Sequence, residues 1–344
     1  MRSVTVTEES EVRPQTPKTQ VGASGQYKHR SGWPYVVEAL QQARTGDRLA
    51  LVDYVERTFK YNPDRSGVQR LLRDWALQVL PLRWVSPTQG TPWVGIFHHP
   101  PNLPEWFDPA APLPTIFAGG RFRRSRPYLR GAIALSEYLA EWLRDELGVP
   151  TLAIKHPTEF PASTFSWDAF ASNPDKKVVQ IGWYLRNYRA IYQVPVPETL
   201  QKVHLAQQGA AIAEAKRRTD RYSPYRGRPD RGDVRTLSWL ENEEYDRLLT
   251  ENIVFLELFD ASANNAIIEA IVRETPVVVN RHPAVVEYLG ANYPLLYTTL
   301  DEVPDLLRMA RLKEAHDYLH AMDKSDLRIT HFITTVQRFL SEIS

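Results

Sequence analysis

Cysteine is absent from the chain, so disulfides and thiolate metal sites are excluded. No apolar run approaches the roughly 20 residues needed to span a bilayer. No amino-terminal stretch has the form of a signal peptide. A soluble, cytoplasmic protein without integral membrane association is the expectation. An excess of charge of either sign is also missing. The 42 Lys and Arg stand against 41 Asp and Glu, so no overall field points to nucleic acid or an anionic membrane. A P-loop, a Gly-x-Ser-x-Gly elbow and a His-Glu-x-x-His helix are not present, and no internal repeat occurs.

What remains is an ordinary globular composition. The chain has 344 residues, of which 43% are hydrophobic. That supports a real core and suits two domains of about 150 residues each. Apolar strand-like runs alternate with helical patterns, which predicts an α/β architecture. Residues 1–30 are polar and poor in apolar groups, an expected partly disordered segment with 3–7 as a possible short strand. Residues 31–170 and 171–325 are the two expected domains, and 326–344 is an amphipathic terminal helix. Within the first, 33–44 and 68–80 carry helical spacing, and 48–53 and 93–97 read as strands. Ser136 caps a helix over 137–147 that Gly148 ends. Within the second, 176–182 is the first strand, 200–215 a helix, and 216–231 a basic surface loop.

The most informative stretch is 252–290. Residues 252–259 form a mostly apolar run that suits a buried parallel strand. A turn of small, largely polar residues follows over 260–265, then a buried helix over 266–272 and a second strand over 275–279. The turn thus sits at a strand's carboxyl end and a helix's amino end, where open α/β sheets bind ligands and where an anion is favoured. Glu269 stands among Ile267, Ile268, Ala270 and Ile271, where an unpartnered carboxylate is costly. It either lies at a helix edge, solvated or capping a neighbour, or grips ligand hydroxyls beside a helix-bound phosphate.

This stretch resembles the donor-binding segment of GT-B glycosyltransferases, in particular the retaining group that includes sucrose and trehalose-phosphate synthases. Glu269-Ala270, then Pro276-Val277-Val278-Val279, then Glu287 stand at that family's usual offsets. The resemblance implies two doubly wound Rossmann-like domains facing a central cleft, an acceptor domain followed by a nucleotide-sugar donor domain. The terminal helix would pack back across both. It further implies transfer of a sugar from a nucleotide-sugar donor, retaining and independent of metal, with no cofactor beyond the donor substrate and no protein metal site. The acceptor is unidentified: glycan, small molecule, protein or nucleic acid. By the same resemblance Glu269 holds the donor ribose, Asn264, Asn265 and Ala266 cradle the diphosphate, and Gly182, Arg186 and Arg189 form a second phosphate loop. Trp239 and Leu240 contact the base. At one position the chain departs from the pattern. Eight positions before Glu269 the family often carries an acid, whereas this chain has Ala261 with Asp260 just before it.

In the first domain, 93–97 ends in His98-His99-Pro100-Pro101-Asn102, a proline-stiffened polar loop at a strand's carboxyl end. Either histidine is a site candidate or loop filler. The resemblance places a histidine there against the transferred sugar, which makes His98 and His99 the catalytic candidates. An inverting reaction would need a protein base, for which His98, His99 or Asp108 would serve. Three alternatives stay open, one of them an unrelated α/β enzyme such as a sugar-nucleotide epimerase with the same two-domain architecture. Ala261 suits a sugar-nucleotide-binding protein without catalysis, and the basic segments 121–130 and 216–231 suit a transferase acting on nucleic acid.

Overall fold

The computed structural model describes residues 32–42, 49–60, 90–238 and 240–343. The segment 1–30, with its expected strand over 3–7, the helical pattern over 68–80 and Trp239 lie outside them. The apolar runs become two wholly parallel sheets. Strands β1 (Ala50–Val52), β2 (Trp93–Phe97), β3 (Leu129–Ala134) and β4 (Thr151–Ala153) form the first, in that order. The second contains β5 (Lys177–Ile181), β6 (Gln201–Leu205), β7 (Val234–Leu237), β8 (Ile253–Leu256), β9 (Val277–Asn280) and β10 (Leu296–Tyr297), in the order β10-β9-β8-β5-β6-β7. Strands β2, β8 and all of β9 but Asn280 are buried along their length, as sheets covered on both faces require.

Local signals set the helix ends. Ser136 accepts from Leu139 N (3.3 Å) at the start of helix Glu137–Leu147, and Gly148 ends it at φ 65°. The apolar stripe of this helix, Leu139, Ala140, Leu143 and Leu147, is buried. The terminal helix Ile329–Glu342 lays Phe332, Val336 and Phe339 against Trp33, Leu40, Ile96 and Ile133, the outer layer of the first sheet. Burying three such side chains stabilises by about 1.5–3 kcal/mol each. Gly131 in β3 admits that helix: a Cβ there would lie 2.7 Å from Ile343 and 3.1 Å from Phe339.

Two expectations in the second sheet do not hold. Residues 200–215 are not one helix. The chain forms β6, then helix Ala210–Tyr222. Lys202 and His204 disguise the strand because they are polar yet buried. Lys202 Nζ donates to the carbonyls of Val194 (3.3 Å) and Arg231, which satisfy it inside the sheet. The basic stretch 216–231 is not a single loop either. The helix runs on through Tyr222, and Arg217 and Arg218 pair with Glu214 at i,i+3 and i,i+4.

Among the described residues no helix is long and apolar enough to cross a membrane.

Candidate active site

The order of the second sheet reverses between β8 and β5, and a crevice at such a switch point is where open parallel sheets bind ligands. The loops leaving these strands, 182–189 and 257–264, are tied together. Asn187 N donates to Glu257 O (2.8 Å) and Phe259 N to Leu185 O (2.9 Å). The buried Glu257 carboxylate accepts from Asn187 Nδ2 (2.6 Å) and Arg228 (2.7 Å).

Gly182 opens the first loop at φ +72°, and a Cβ there would lie 1.2 Å from Arg186 Nη1. Glycine leaves the space that the guanidinium fills. Arg186 donates from Nη1 to Ile181 O (3.1 Å) and from Nη2 to Asn264 Oδ1 (2.9 Å). Its Nε is buried without a partner among the described residues. Burial lowers the pKa of this guanidinium, while Tyr245 and Glu269 act against that.

Asn264 also caps helix Asn265–Arg273, its Oδ1 accepting from Ile267 N (3.4 Å). The amides of Asn265 and Ala266 fall in the first turn, where no intrahelical acceptor exists, and the dipole there favours an anion. One turn on, Glu269 is only 1% exposed. It accepts a 2.6 Å hydrogen bond from the hydroxyl of Tyr245, on helix Asn242–Thr250. Burial and the adjacent carboxylate hold that phenol's pKa well above its usual value. Arg186, Asn264, Asn265, Ala266 and Glu269 therefore share one neighbourhood. Arg189 does not join them: it turns to Asp230 (2.8 Å) and Asp220 (3.6 Å). Leu240 is half-buried against the core of the second sheet.

The loop after β2 faces this neighbourhood, and the structure separates its two histidines. His99 is buried. Its Nδ1–H donates to Ala111 O (2.8 Å), which leaves Nε2 as the acceptor for Tyr184 OH (3.3 Å). Both nitrogens are thus committed. The His98 ring stacks on Tyr54 (centroids 3.9 Å) and meets the edge of Trp33 (4.2 Å). Its Nε2–H donates to Asp53 O (2.9 Å), so Nδ1 presents a lone pair. Burial holds its pKa well below the ordinary value, which keeps it neutral. The fully buried Glu56 grips the loop: its Oε1 accepts from the amides of His98 and His99, at 2.8 Å each.

Sequence reasoning gave no part to Glu56, His156 or Tyr245. Asp260, noted only beside Ala261, is the polar hinge of the interface. One of its oxygens accepts from Asn102 N (2.9 Å), the other from Ala261 N and His282 Nε2 (both 2.8 Å). Three further links join the halves. Ser136 meets Ser262 (3.0 Å), Glu287 accepts from Glu137 N (2.7 Å), and Tyr288 OH donates to Leu135 O (2.7 Å). Burial raises the Glu287 carboxyl, against the pull of those amides.

The basic segment 121–130 lies elsewhere. It forms helix Gly120–Ser125 and a turn leading into the start of β3, the end of the strand opposite the cleft. In 216–231, Arg217 and Arg218 both pair with Glu214, and Arg228 pairs with Glu257. Among the described residues no group of three or more His, Asp or Glu side chains is arranged to hold a metal ion.

No protein-family model and no curated protein sequence matches the chain. Solved structures do. Sucrose-phosphate synthase from Thermosynechococcus elongatus superimposes with a TM-score of 0.55 at 17% identity, over 91% of this chain and 79% of that one. HepE from Anabaena, solved with UDP-glucose, gives 0.55 at 13% over 90% and 82%. An α,α-trehalose-phosphate synthase (UDP-forming) from Burkholderia vietnamiensis gives 0.50 at 12% over 89% and 79%. At such identities the likeness is one of architecture, and the chain has the GT-B fold.

Proposed function

We propose that this protein is a glycosyltransferase that moves a sugar from a nucleotide-sugar donor to an acceptor, with retention of configuration and without a metal. The observation that carries the reading is the gathering of Arg186, Asn264 and Glu269 at the amino end of helix Asn265–Arg273, opposite the neutral ring of His98. Arg186 and the amides of Asn265 and Ala266 offset the charge of the leaving diphosphate, an electrostatic contribution that is often the largest in such catalysis. Glu269 accepts from the ribose hydroxyls. The Nδ1 of His98 accepts from a hydroxyl of the transferred sugar. The bond between the anomeric carbon and the phosphate oxygen breaks, and the acceptor oxygen bonds to that carbon on the same face. The acceptor's proton passes to the departing phosphate.

A second reading, a binding protein without turnover, draws on Ala261 and on the commitment of Asp260 to Asn102, Ala261 and His282. One experiment addresses the donor site and a second separates the readings. Thermal stability is measured against UDP, GDP, ADP, dTDP and CDP, for wild type and Glu269→Ala, each relative to its own unliganded midpoint. A ligand at about 100 times its dissociation constant adds roughly 2.7 kcal/mol, a rise in Tm of about 2–4 °C or more. The expected result is a rise with one base that Glu269→Ala abolishes; no rise with any of the five would sink the donor site. Incubation of the matching sugar nucleotide with an acceptor panel then decides turnover, and binding with no sugar released or transferred favours the second reading.

A further inference from the structure

His156 stands where the first sheet hands over to the second, just after β4, and the functional reading above leaves it unused. Its position is built with care. It is 4% exposed. Its backbone amide donates to the hydroxyl of Tyr288 (2.8 Å), a residue of the opposite half, so it sits on the interface itself. Its ring Nδ1–H donates to Pro157 O (2.7 Å), which fixes the tautomer and leaves Nε2 as a lone pair. That nitrogen has no hydrogen-bond partner among the described residues.

The arrangement repeats that of His98. Each imidazole is held at one nitrogen by a backbone carbonyl, Asp53 O or Pro157 O, and presents the other as an acceptor. Trp33 packs against both, with ring centroids 4.2 Å from His98 and 5.5 Å from His156. Trp33 is buried and serves as the common support of the two rings, so two neutral acceptors stand near each other, which suits a unit with several hydroxyl donors. We infer that His156 is a second acceptor for sugar hydroxyls, paired with His98 across Trp33, and that the two together bind the sugar unit in the cleft. Burial lowers the His156 pKa to about 4 even with Glu269 acting to raise it, so the ring stays a neutral acceptor near pH 7. The inference rests on the glycosyltransferase reading of the same cleft and adds the residue that reads the sugar.

The test compares UDP with UDP-glucose by calorimetry, then the GDP, ADP, dTDP and CDP pairs, on wild type, His156→Asn and His156→Gln. Asparagine keeps a donor for Pro157 O and deletes the outer acceptor; glutamine places an oxygen near that acceptor. Expected is a loss of about tenfold in affinity for the sugar nucleotide in His156→Asn, partial recovery in His156→Gln, and unchanged affinity for the diphosphate in both. Equal weakening of both ligands, or no change in either, would overturn the assignment while leaving the donor site standing. No binding of any ligand to the wild type would overturn the donor site, and the assignment with it.

Discussion

The rims of the cleft satisfy their polar groups in opposite ways. On the second sheet's side the groups are charged and mutually engaged: Arg186 holds Asn264, Tyr245 holds Glu269, and the helix terminus adds unpaired amides. On the first sheet's side His98 and His156 are neutral, each tied by one nitrogen to a carbonyl. One rim is suited to bind a phosphate anion and the other to accept hydroxyls. In the function proposed, recognition of a nucleotide sugar is divided between a charged half and a neutral half. Disturbing one rim should then leave the other's ligand preference intact.

Acid breaks this division with the largest effect. The folded pKa of His156 and of His204 on β6 is lowered to about 4, and that of His98 also lies well below the ordinary value; burial is the main cause in each. The sign follows from proton binding. Between an unfolded pKa of about 6.5 and the lowered folded value, the unfolded chain binds more protons, so stability falls as pH falls. The loss is about 1.4 kcal/mol per pH unit for a buried histidine such as His156, roughly 3 kcal/mol between pH 6.5 and 4. Denaturant titrations at pH 7, 6, 5 and 4.5 should show this slope, and His156→Asn should flatten it by one proton. Arg186→Ala should leave it unchanged. An unfolding free energy that is flat from pH 7 to 5 would show that these histidines take up protons in the folded protein as readily as in the unfolded chain.

The next effect is confined to the charged rim. Arg186→Ala removes a cation and two hydrogen bonds beside the helix terminus; hydrogen bonds to charged groups contribute about 1.5–3 kcal/mol. Affinity for the nucleoside diphosphate should fall about ten- to hundredfold, with the nucleoside itself little affected. Gly182→Ala should do nearly the same without touching a charge. Its Cβ would occupy the guanidinium's place, and the φ of +72° costs an L-residue roughly 1–2 kcal/mol. If Gly182→Ala binds the diphosphate as the wild type does, Arg186 does not act from the position described.

The sequence made this rim legible and the other only half so, for a physical reason. Strand, polar turn and helix follow one another over 252–280, so the periodicity that buries Val254 and Ile268 also displays Asn264 and Glu269. The pair His98-His99 was visible as a loop at a strand's end, but which ring is available depends on Asp53, Tyr54 and Ala111, the first two more than 40 residues away in the chain. Glu56 is 43 positions from His99, and no local pattern announces that it will grip that loop. No local pattern marks His156, because its partners, Trp33 and Tyr288, come from opposite ends of the chain. Tyr245 lay hidden in an amphipathic helix whose inward face looks the same whether it meets core or carboxylate. Lys202 and His204 misled for the converse reason: buried polar groups satisfied by partners from elsewhere in the chain, carbonyls for Lys202 and the Tyr192 hydroxyl for His204, mimic the polar face of a helix.

The smallest expected effect sharpens the comparison within the charged rim itself. Arg186 and Arg189 lie three residues apart in one loop, and residue type alone gives them the same claim on a phosphate. The structure distinguishes them by partner and exposure. Arg186 is directed at the helix cap, whereas Arg189 is about a third exposed and already paired with Asp230 and Asp220. Exposed ion pairs of this kind contribute about 0–1 kcal/mol. Arg189→Ala should therefore shift stability by no more than that, and less at high salt, because screening already weakens the pairs. Diphosphate affinity should change less than twofold under conditions where Arg186→Ala costs tenfold or more. A matched loss in the two variants would mean that Arg189 leaves its aspartates when the ligand binds, and that the loop after β5 reshapes around the diphosphate rather than meeting it preformed.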